Sequence, residues 1–252
     1  MSAAKHIIVL QNGLNGHHWS MHSMATYLRQ KLSAENFVVV ISDVNNIALT
    51  YFGIEPCGRR LRDFVLQQCR LHPLATHISF IGHSLGGVMI RYCIGLLQED
   101  GFFGSDRSLM QMQPVMYVSI ASPHLGVHSL DALRQTLARW AIPKTGTVLL
   151  LEDDETLLLN MSLALSKYML GLQRFQLFAY GNLVSDALVP MDTACLCDGS
   201  AQLFAVDSDA SAACLSADDV EVGQLVRVVS AAAATSGLLL KRNQKTGIIL
   251  HI

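Results

Sequence analysis

His77-Ile78-Ser79-Phe80-Ile81-Gly82-His83-Ser84-Leu85-Gly86-Gly87 is the stretch whose reading decides the fold. His77 to Gly82 is rich in β-branched and aromatic residues and reads as a strand. Gly86 to Gln98 reads as a helix. The pattern Gly-x-Ser-x-Gly alone would arise by chance in roughly one chain in ten of this length. Its setting carries the information, because a strand must feed the turn and a helix must leave it. Such a turn holds Ser84 in a strained backbone geometry, and side chains two residues before and after would collide, so Gly82 and Gly86 leave room. The hydroxyl is then lifted above the sheet edge. The backbone N–H of Leu85 lies beside a helix N-terminus, where partial positive charge favours an oxyanion.

Outward from this motif, short apolar runs alternate with amphipathic stretches. That pattern predicts an α/β chain with a mostly parallel central sheet and helices on both faces. Strands are expected at Ile7–Leu10, Phe37–Ser42, Val115–Ala121 and Arg174–Tyr180. Helices are expected at Trp19–Leu32, where Met21, Met24, Tyr27, Leu28 and Leu32 recur near a 3.6 period, and at Arg59–Leu71. Asn45 to Gly58 reads as a polar loop with an aromatic patch. Residues 126–172 form an irregular insertion in which Leu157, Leu158, Met161, Leu165, Met169 and Leu172 stand at helical spacing. They read either as a core helix or as a lid over an active site. No linker or repeat is present, so one domain over residues 1–252 is expected, with an atypical, shortened part at 201–252.

Composition narrows the function. Of the 252 residues, 51% are hydrophobic and 15% charged, and the formal net charge is −2. This is a packed globular composition, and with no basic cluster it argues against nucleic-acid binding. His6 to Gln11 is too short for a membrane span and has no cleavage site after it, so no signal peptide is read and a cytoplasmic location is expected. Cysteines at 57, 69, 93, 195, 197 and 214 are scattered and read as free thiols. Cys195-Leu196-Cys197 lacks a second ligand pair at zinc spacing.

The second donor of an oxyanion hole should come from the loop after an earlier strand. Asn12-Gly13-Leu14-Asn15-Gly16 stands there, and the Leu14 N–H is the candidate. Together with Gly82-His-Ser-Leu-Gly-Gly87, Ala121-Ser-Pro-His-Leu-Gly126 and Tyr180-Gly-Asn-Leu-Val-Ser-Asp186-Ala-Leu-Val-Pro190-Met-Asp-Thr193-Ala194, this loop resembles the "putative serine esterase" family of lipase-like α/β-hydrolases. Thr50-x-x-Gly53-Ile54 and Gly58-x-Arg60-Leu61 fit the same family, over roughly residues 6 to 195. The family carries His-Gly-Leu-x-Gly where this chain has Asn12, which touches no backbone donor. The resemblance implies a serine esterase or lipase acting on an acyl ester or lipid through an acyl-enzyme, without metal or organic cofactor. Peripheral contact with a lipid surface goes with that reading.

A triad in this fold runs Ser, then Asp or Glu, then His. The family motif places the acid at Asp186, and Asp192 is the fallback. One histidine follows, His251, after the apolar run Gly247-Ile-Ile-Leu250. It is the candidate base on the expectation that a strand ends there, although family members continue past this histidine into a helix. If the base is missing, the alternative is a catalytically impaired relative that serves as a scaffold or interaction module. His83 is expected to be packed and hydrogen-bonded, and His124 to be structural. His18 and His22 stand four apart on a predicted helix, but no third metal ligand accompanies them.

Overall fold

The computed structural model describes residues 5–106, 111–127, 142–181, 188–194, 202–205, 213–215, 226–229 and 248–251. In chain order the elements are β1 (His6–Gln11), α1 (His22–Lys31), β2 (Phe37–Ile41), α2 (Ile54–Leu71), β3 (His77–His83), α3 (Leu85–Glu99) and β4 (Gln113–Ile120). Then follow α4 (Pro143–Leu149), α5 (Leu157–Asn160), α6 (Lys167–Leu172), β5 (Gln176–Gly181) and α7 (Met191–Ala194). The last strands are β6 (Gln202–Ala205), β7 (Ala213–Leu215), β8 (Val226–Val229) and β9 (Ile248–His251).

The main sheet has the order β2-β1-β3-β4-β5-β9. Its first five strands are parallel, and β9 joins antiparallel to β5. A separate antiparallel sheet has the order β7-β6-β8. Successive strand residues point to opposite faces, and the burial follows that rule. Ile7, Val9, Ile78 and Phe80 enter the larger core with Leu61 and Val65 of α2 and Met89 and Ile94 of α3. Ile8, Leu10 and Ile81 enter the smaller core with Met21 and Ala25. The sheet is therefore covered on both sides, as an α/β-hydrolase fold requires.

Helix α3 is buried from Leu85 through Leu97. A helix apolar all round belongs inside a domain, and each large side chain withdrawn from water contributes about 1.5–3 kcal/mol. α3 packs beside α2, which begins at Ile54 rather than at Arg59. Pro56 concealed that start, yet a proline in the first helical turn costs no internal hydrogen bond. Gly58 fits because a Cβ there would lie 2.9 Å from Cβ and Cγ of Tyr92. Close helix contact, not a turn, requires that glycine.

Two other elements depart from expectation. The stretch expected as one helix from Trp19 divides into a 3₁₀ turn, His18–Met21, and α1. Tyr27, expected on its buried stripe, is exposed. In the insertion, Leu157, Leu158, Met161 and Leu172 are buried, but Leu165 is 87% exposed. One continuous helix is replaced by α5 and α6, because the chain turns between Ser162 and Ser166, and the Ser166 side chain caps α6 by accepting from the Met169 N–H. Among the described residues no helix is long and apolar enough to cross a membrane.

Candidate active site

Ser84 stands alone between β3 and α3, at φ 53° and ψ −130°. A non-glycine residue with positive φ is strained and persists only when its surroundings impose it. Those surroundings are visible. The Ser84 N–H donates to the Ile120 carbonyl at 2.8 Å, and the Gly87 N–H donates to the Ser84 carbonyl at 3.1 Å. A Cβ on Gly82 would lie 2.5 Å from Cα and N of Gly87. One on Gly86 would strike the Gln11 carbonyl and lie 2.6 Å from the Asn12 oxygen. Both contacts are with backbone, so neither glycine has a tolerable replacement. Ser84 is half-buried, and Leu85 opens α3. The first N–H groups of a helix lack an intrahelical acceptor, and the helix dipole adds positive potential there.

The loop after β1 closes on this serine. A Cβ on Gly13 would lie 2.7 Å from Ser84 Cβ and 3.1 Å from its Oγ. The backbone at Gly13 thus runs against the hydroxyl, with Leu14 next in the chain. A turn fixes the loop, with the Gly16 N–H donating to the Gly13 carbonyl at 3.1 Å. Buried Asn12 ties it to the segment after β2, since its Nδ2 donates to the carbonyls of Gly13 at 3.2 Å and Asn45 at 3.1 Å. Asn45 in turn donates to the Cys57 carbonyl at 3.0 Å and accepts from Arg60 Nε at 2.9 Å. The asparagine at position 12 therefore has a structural task, holding the loop beneath Ser84.

Behind the elbow lies a polar cluster around Arg91 of α3. Arg91 is 2% exposed and His124 1%. Arg91 Nη1 donates to the His124 carbonyl at 3.2 Å and stands 3.3 Å from His124 Nδ1. Its Nη2 donates to the Met161 carbonyl at 3.3 Å. His124 Nε2 lies 2.9 Å from Ser119 Oγ. A guanidinium has no acceptor, so Nδ1 takes the hydrogen bond and Nε2 carries the proton. Burial first, and the neighbouring Arg91 cation second, hold His124 well below the ordinary histidine range, so the ring is neutral. His6, on β1, is likewise lowered to about 4 by burial and by His77.

The remaining candidates fall in different places. Asp186 lies outside the described residues, as do Cys195 and Cys197. Asp192 falls within α7. His251 ends β9, but that strand is antiparallel, and its register sets His251 opposite Phe178, three positions back from Gly181 at the carboxyl edge of β5. A strand end was expected at the edge that carries Ser84. The reversed direction brings Ile248 to that edge and takes the backbone of His251 away from it. His83, expected to be packed, is exposed. His18 lies in the 3₁₀ turn, its N–H donating to Asn46 Oδ1 at 2.8 Å, and His22 opens α1. Cys57, Cys69 and Cys93 are buried free thiols, and burial raises Cys57 to about 11 and Cys69 to about 12. A cavity of about 630 Å³ lies apart from the elbow: Phe52, Lys144 and Asp154 line it, and Ser84 does not. Sequence reading missed Arg91, although a single charge inside the apolar run Gly87 to Gly95 is a legible signal.

A parallel sheet covered on both faces, with a strained serine between its third strand and the following helix, defines the α/β-hydrolase class. The chain belongs to the family "Putative serine esterase (DUF676)", whose model matches residues 1–200. It is 29% identical over 205 residues to "Putative lipase ROG1" of Saccharomyces cerevisiae, covering 76% of this chain and 28% of that protein. It is 27% identical over 216 residues to "Putative lipase C4A8.10" of Schizosaccharomyces pombe, covering 77% of this chain and 26% of the relative. The chain thus spans less than a third of the length of these relatives. Among solved structures it is similar to the mature Bacillus licheniformis lipase BlEst2, at 13% identity and a TM-score of 0.47, over 69% of this chain and 64% of that one.

Proposed function

We propose that the chain is a serine hydrolase that cleaves carboxylic esters, of the acyl-lipid class, through an acyl-enzyme on Ser84. The observation that carries this reading is the contact between the Gly13 backbone and a Ser84 held at φ 53°. In the proposed reaction Ser84 Oγ attacks the ester carbonyl carbon, and its proton passes to the base. The carbonyl oxygen becomes an anion held by the Leu85 and Leu14 N–H groups. Collapse of the adduct expels the alcohol, which takes up that proton. Water activated by the same base then releases the acid and frees Ser84. In this reading Asp186 orients the base and His251 is the base. The substrate class rests on relatives whose names include the word lipase.

The test is labelling with a fluorophosphonate probe. Labelling that disappears in Ser84→Ala supports the hydrolase, and a folded protein that takes no label overturns it. His251→Ala is expected to lower turnover of an acyl ester by orders of magnitude, and an unchanged rate removes His251 from the mechanism. One observation favours a second reading. The register of β9 holds His251 back from the catalytic edge, as fits a relative that keeps the elbow without a base and acts as a scaffold or interaction module.

A further inference from the structure

The hydrolase reading leaves Thr50-x-x-Gly53-Ile54 without a task. In the fold Thr50 belongs to a 3₁₀ turn, Ile47–Phe52, that follows β2. Strands β2, β1 and β3 are parallel neighbours, so the segments that leave them meet at one edge of the sheet, the edge that carries Ser84. There the 3₁₀ turn grips the glycine loop after β1.

Hydrogen bonds make the grip. The Ile47 N–H donates to the Gly16 carbonyl at 2.8 Å, and the Asn15 N–H donates to Thr50 Oγ1 at 2.9 Å. Tyr51 OH donates to Asn15 Oδ1 at 2.9 Å. Thr50 is fully buried, and its own hydroxyl proton goes to the Ile47 carbonyl at 2.6 Å. The turn is held from its far side as well. Thr145 Oγ1, on α4 and also fully buried, donates to the Thr50 carbonyl at 2.8 Å and accepts from the Gly53 N–H at 3.1 Å. Arg60 Nη2 donates to the Leu49 carbonyl at 2.8 Å. Asn15 at φ 52° and Ile47 at φ 46° both take left-handed backbones at this contact. Asparagine tolerates that region, but a β-branched isoleucine is an outlier there. Such strain persists only where the surroundings impose it.

The direction of a peptide plane follows. A trans peptide sends its carbonyl and its N–H in opposite directions. The Gly13 carbonyl accepts from the Gly16 N–H and from Asn12 Nδ2, which turns the Leu14 N–H of the same plane out of the loop. Thr50 fixes the next plane through the Asn15 N–H. That N–H is taken, which leaves Leu14 as the candidate donor.

We propose that Thr50 is a positioning residue for the reaction: with Tyr51 it clamps Asn15, and so holds the Leu14 N–H where the oxyanion forms. This rests on the hydrolase reading above. A donor of an oxyanion hole acts most strongly when its place is set before charge develops. A threonine hydroxyl that donates and accepts at once cannot rotate away from that place.

The experiment compares wild type, Ser84→Ala, Thr50→Val, Thr50→Ser and Tyr51→Phe. It measures fluorophosphonate labelling, p-nitrophenyl butyrate kinetics and inhibition by 1,1,1-trifluorodecan-2-one. Ser84 Oγ adds to the carbonyl carbon of that ketone, its proton passes to the base, and the ketone oxygen becomes the anion that the hole must hold. Thr50→Val keeps the shape and removes Oγ1. It is expected to lower kcat and to weaken inhibition by about 10- to 100-fold each, while KM changes by less than about threefold. A loss of folded protein lowers turnover but leaves the inhibition constant of the remaining enzyme unchanged, so the two effects separate. Thr50→Ser, which keeps the oxygen, is expected to restore both values. Tyr51→Phe, at a partly exposed site, is expected to weaken inhibition by about 3- to 10-fold, and it carries the test should Thr50→Val not fold. Wild-type inhibition in both Thr50→Val and Tyr51→Phe, or no restoration by Thr50→Ser, overturns the clamp with the hydrolase intact. Absence of Ser84-dependent labelling in the wild type overturns the hydrolase and the clamp's role in it together.

Discussion

At the scale of single residues, backbone strain and backbone contact define the candidate site. Ser84 holds φ 53°, a value that glycine adopts freely and serine does not. Ser84→Gly is therefore expected to raise stability by about 1 kcal/mol, seen as a higher urea midpoint, while abolishing probe labelling. A lower midpoint would mean that the turn is not strained in the sense argued here. Gly13 is the complementary case. Its missing side chain is what allows the loop to approach Ser84, so Gly13→Ala is expected to reduce ester turnover by about 100-fold or more, the scale of losing an oxyanion donor. Near wild-type turnover in Gly13→Ala would show that the loop does not form the hole. Gly13 and Ser84 were both legible in the sequence, since a motif fixes residue types at fixed spacing. The tie between Asn12 and Asn45 was not, because 33 residues separate them and only the fold brings them together.

Among elements, the packing of α2 on α3 decides where the nucleophile's helix sits. Gly58 lies against the Tyr92 side chain near its backbone end, where there is little freedom to move away. Gly58→Ala is expected to destabilise by about 1–3 kcal/mol through overpacking, measured by denaturant unfolding. A change near zero would mean that the two helices can separate without loss. Strands β1 to β5 were readable from apolar runs, and α3 from its continuous apolar character. The start of α2 was not readable, because Pro56 and Gly58 are turn residues by composition and helical residues by position. The insertion misled for a related reason. Helical spacing of apolar residues describes a face that can be buried, and it does not report the turn between Ser162 and Ser166 that leaves Leu165 in solvent.

For the whole molecule, one half-buried and one buried histidine, both neutral, couple folding to pH. His6 is lowered to about 4 by burial and His77, and His124 is held well below the ordinary histidine range by burial and Arg91. In the unfolded chain each would titrate near 6.5. As pH falls below about 6.5 the unfolded state takes up protons that the folded state refuses, so stability declines, and the His6 share is spent by about pH 4. The melting temperature is expected to drop steadily between pH 7 and pH 4, and His6→Gln should flatten part of that slope. A melting temperature constant over this range would contradict the neutral state of both rings in the folded protein.

What the sequence by itself determined is the local chemistry: a serine between two glycines, a glycine loop after the first strand, and alternating apolar runs that make a covered parallel sheet. Each is written in neighbouring residues, because the requirements of a tight turn and of a strand face are met within a few positions. Only the tertiary structure decided the direction of β9, and with it the place of the His251 backbone opposite Phe178. The apolar run Ile248 to Leu250 satisfies a parallel and an antiparallel neighbour equally well, so its direction depends on the path of the chain and not on the run itself. The same holds for Arg91 meeting His124 and for Thr50 meeting Thr145. Those are partnerships between groups far apart in sequence, and burial alone makes them matter.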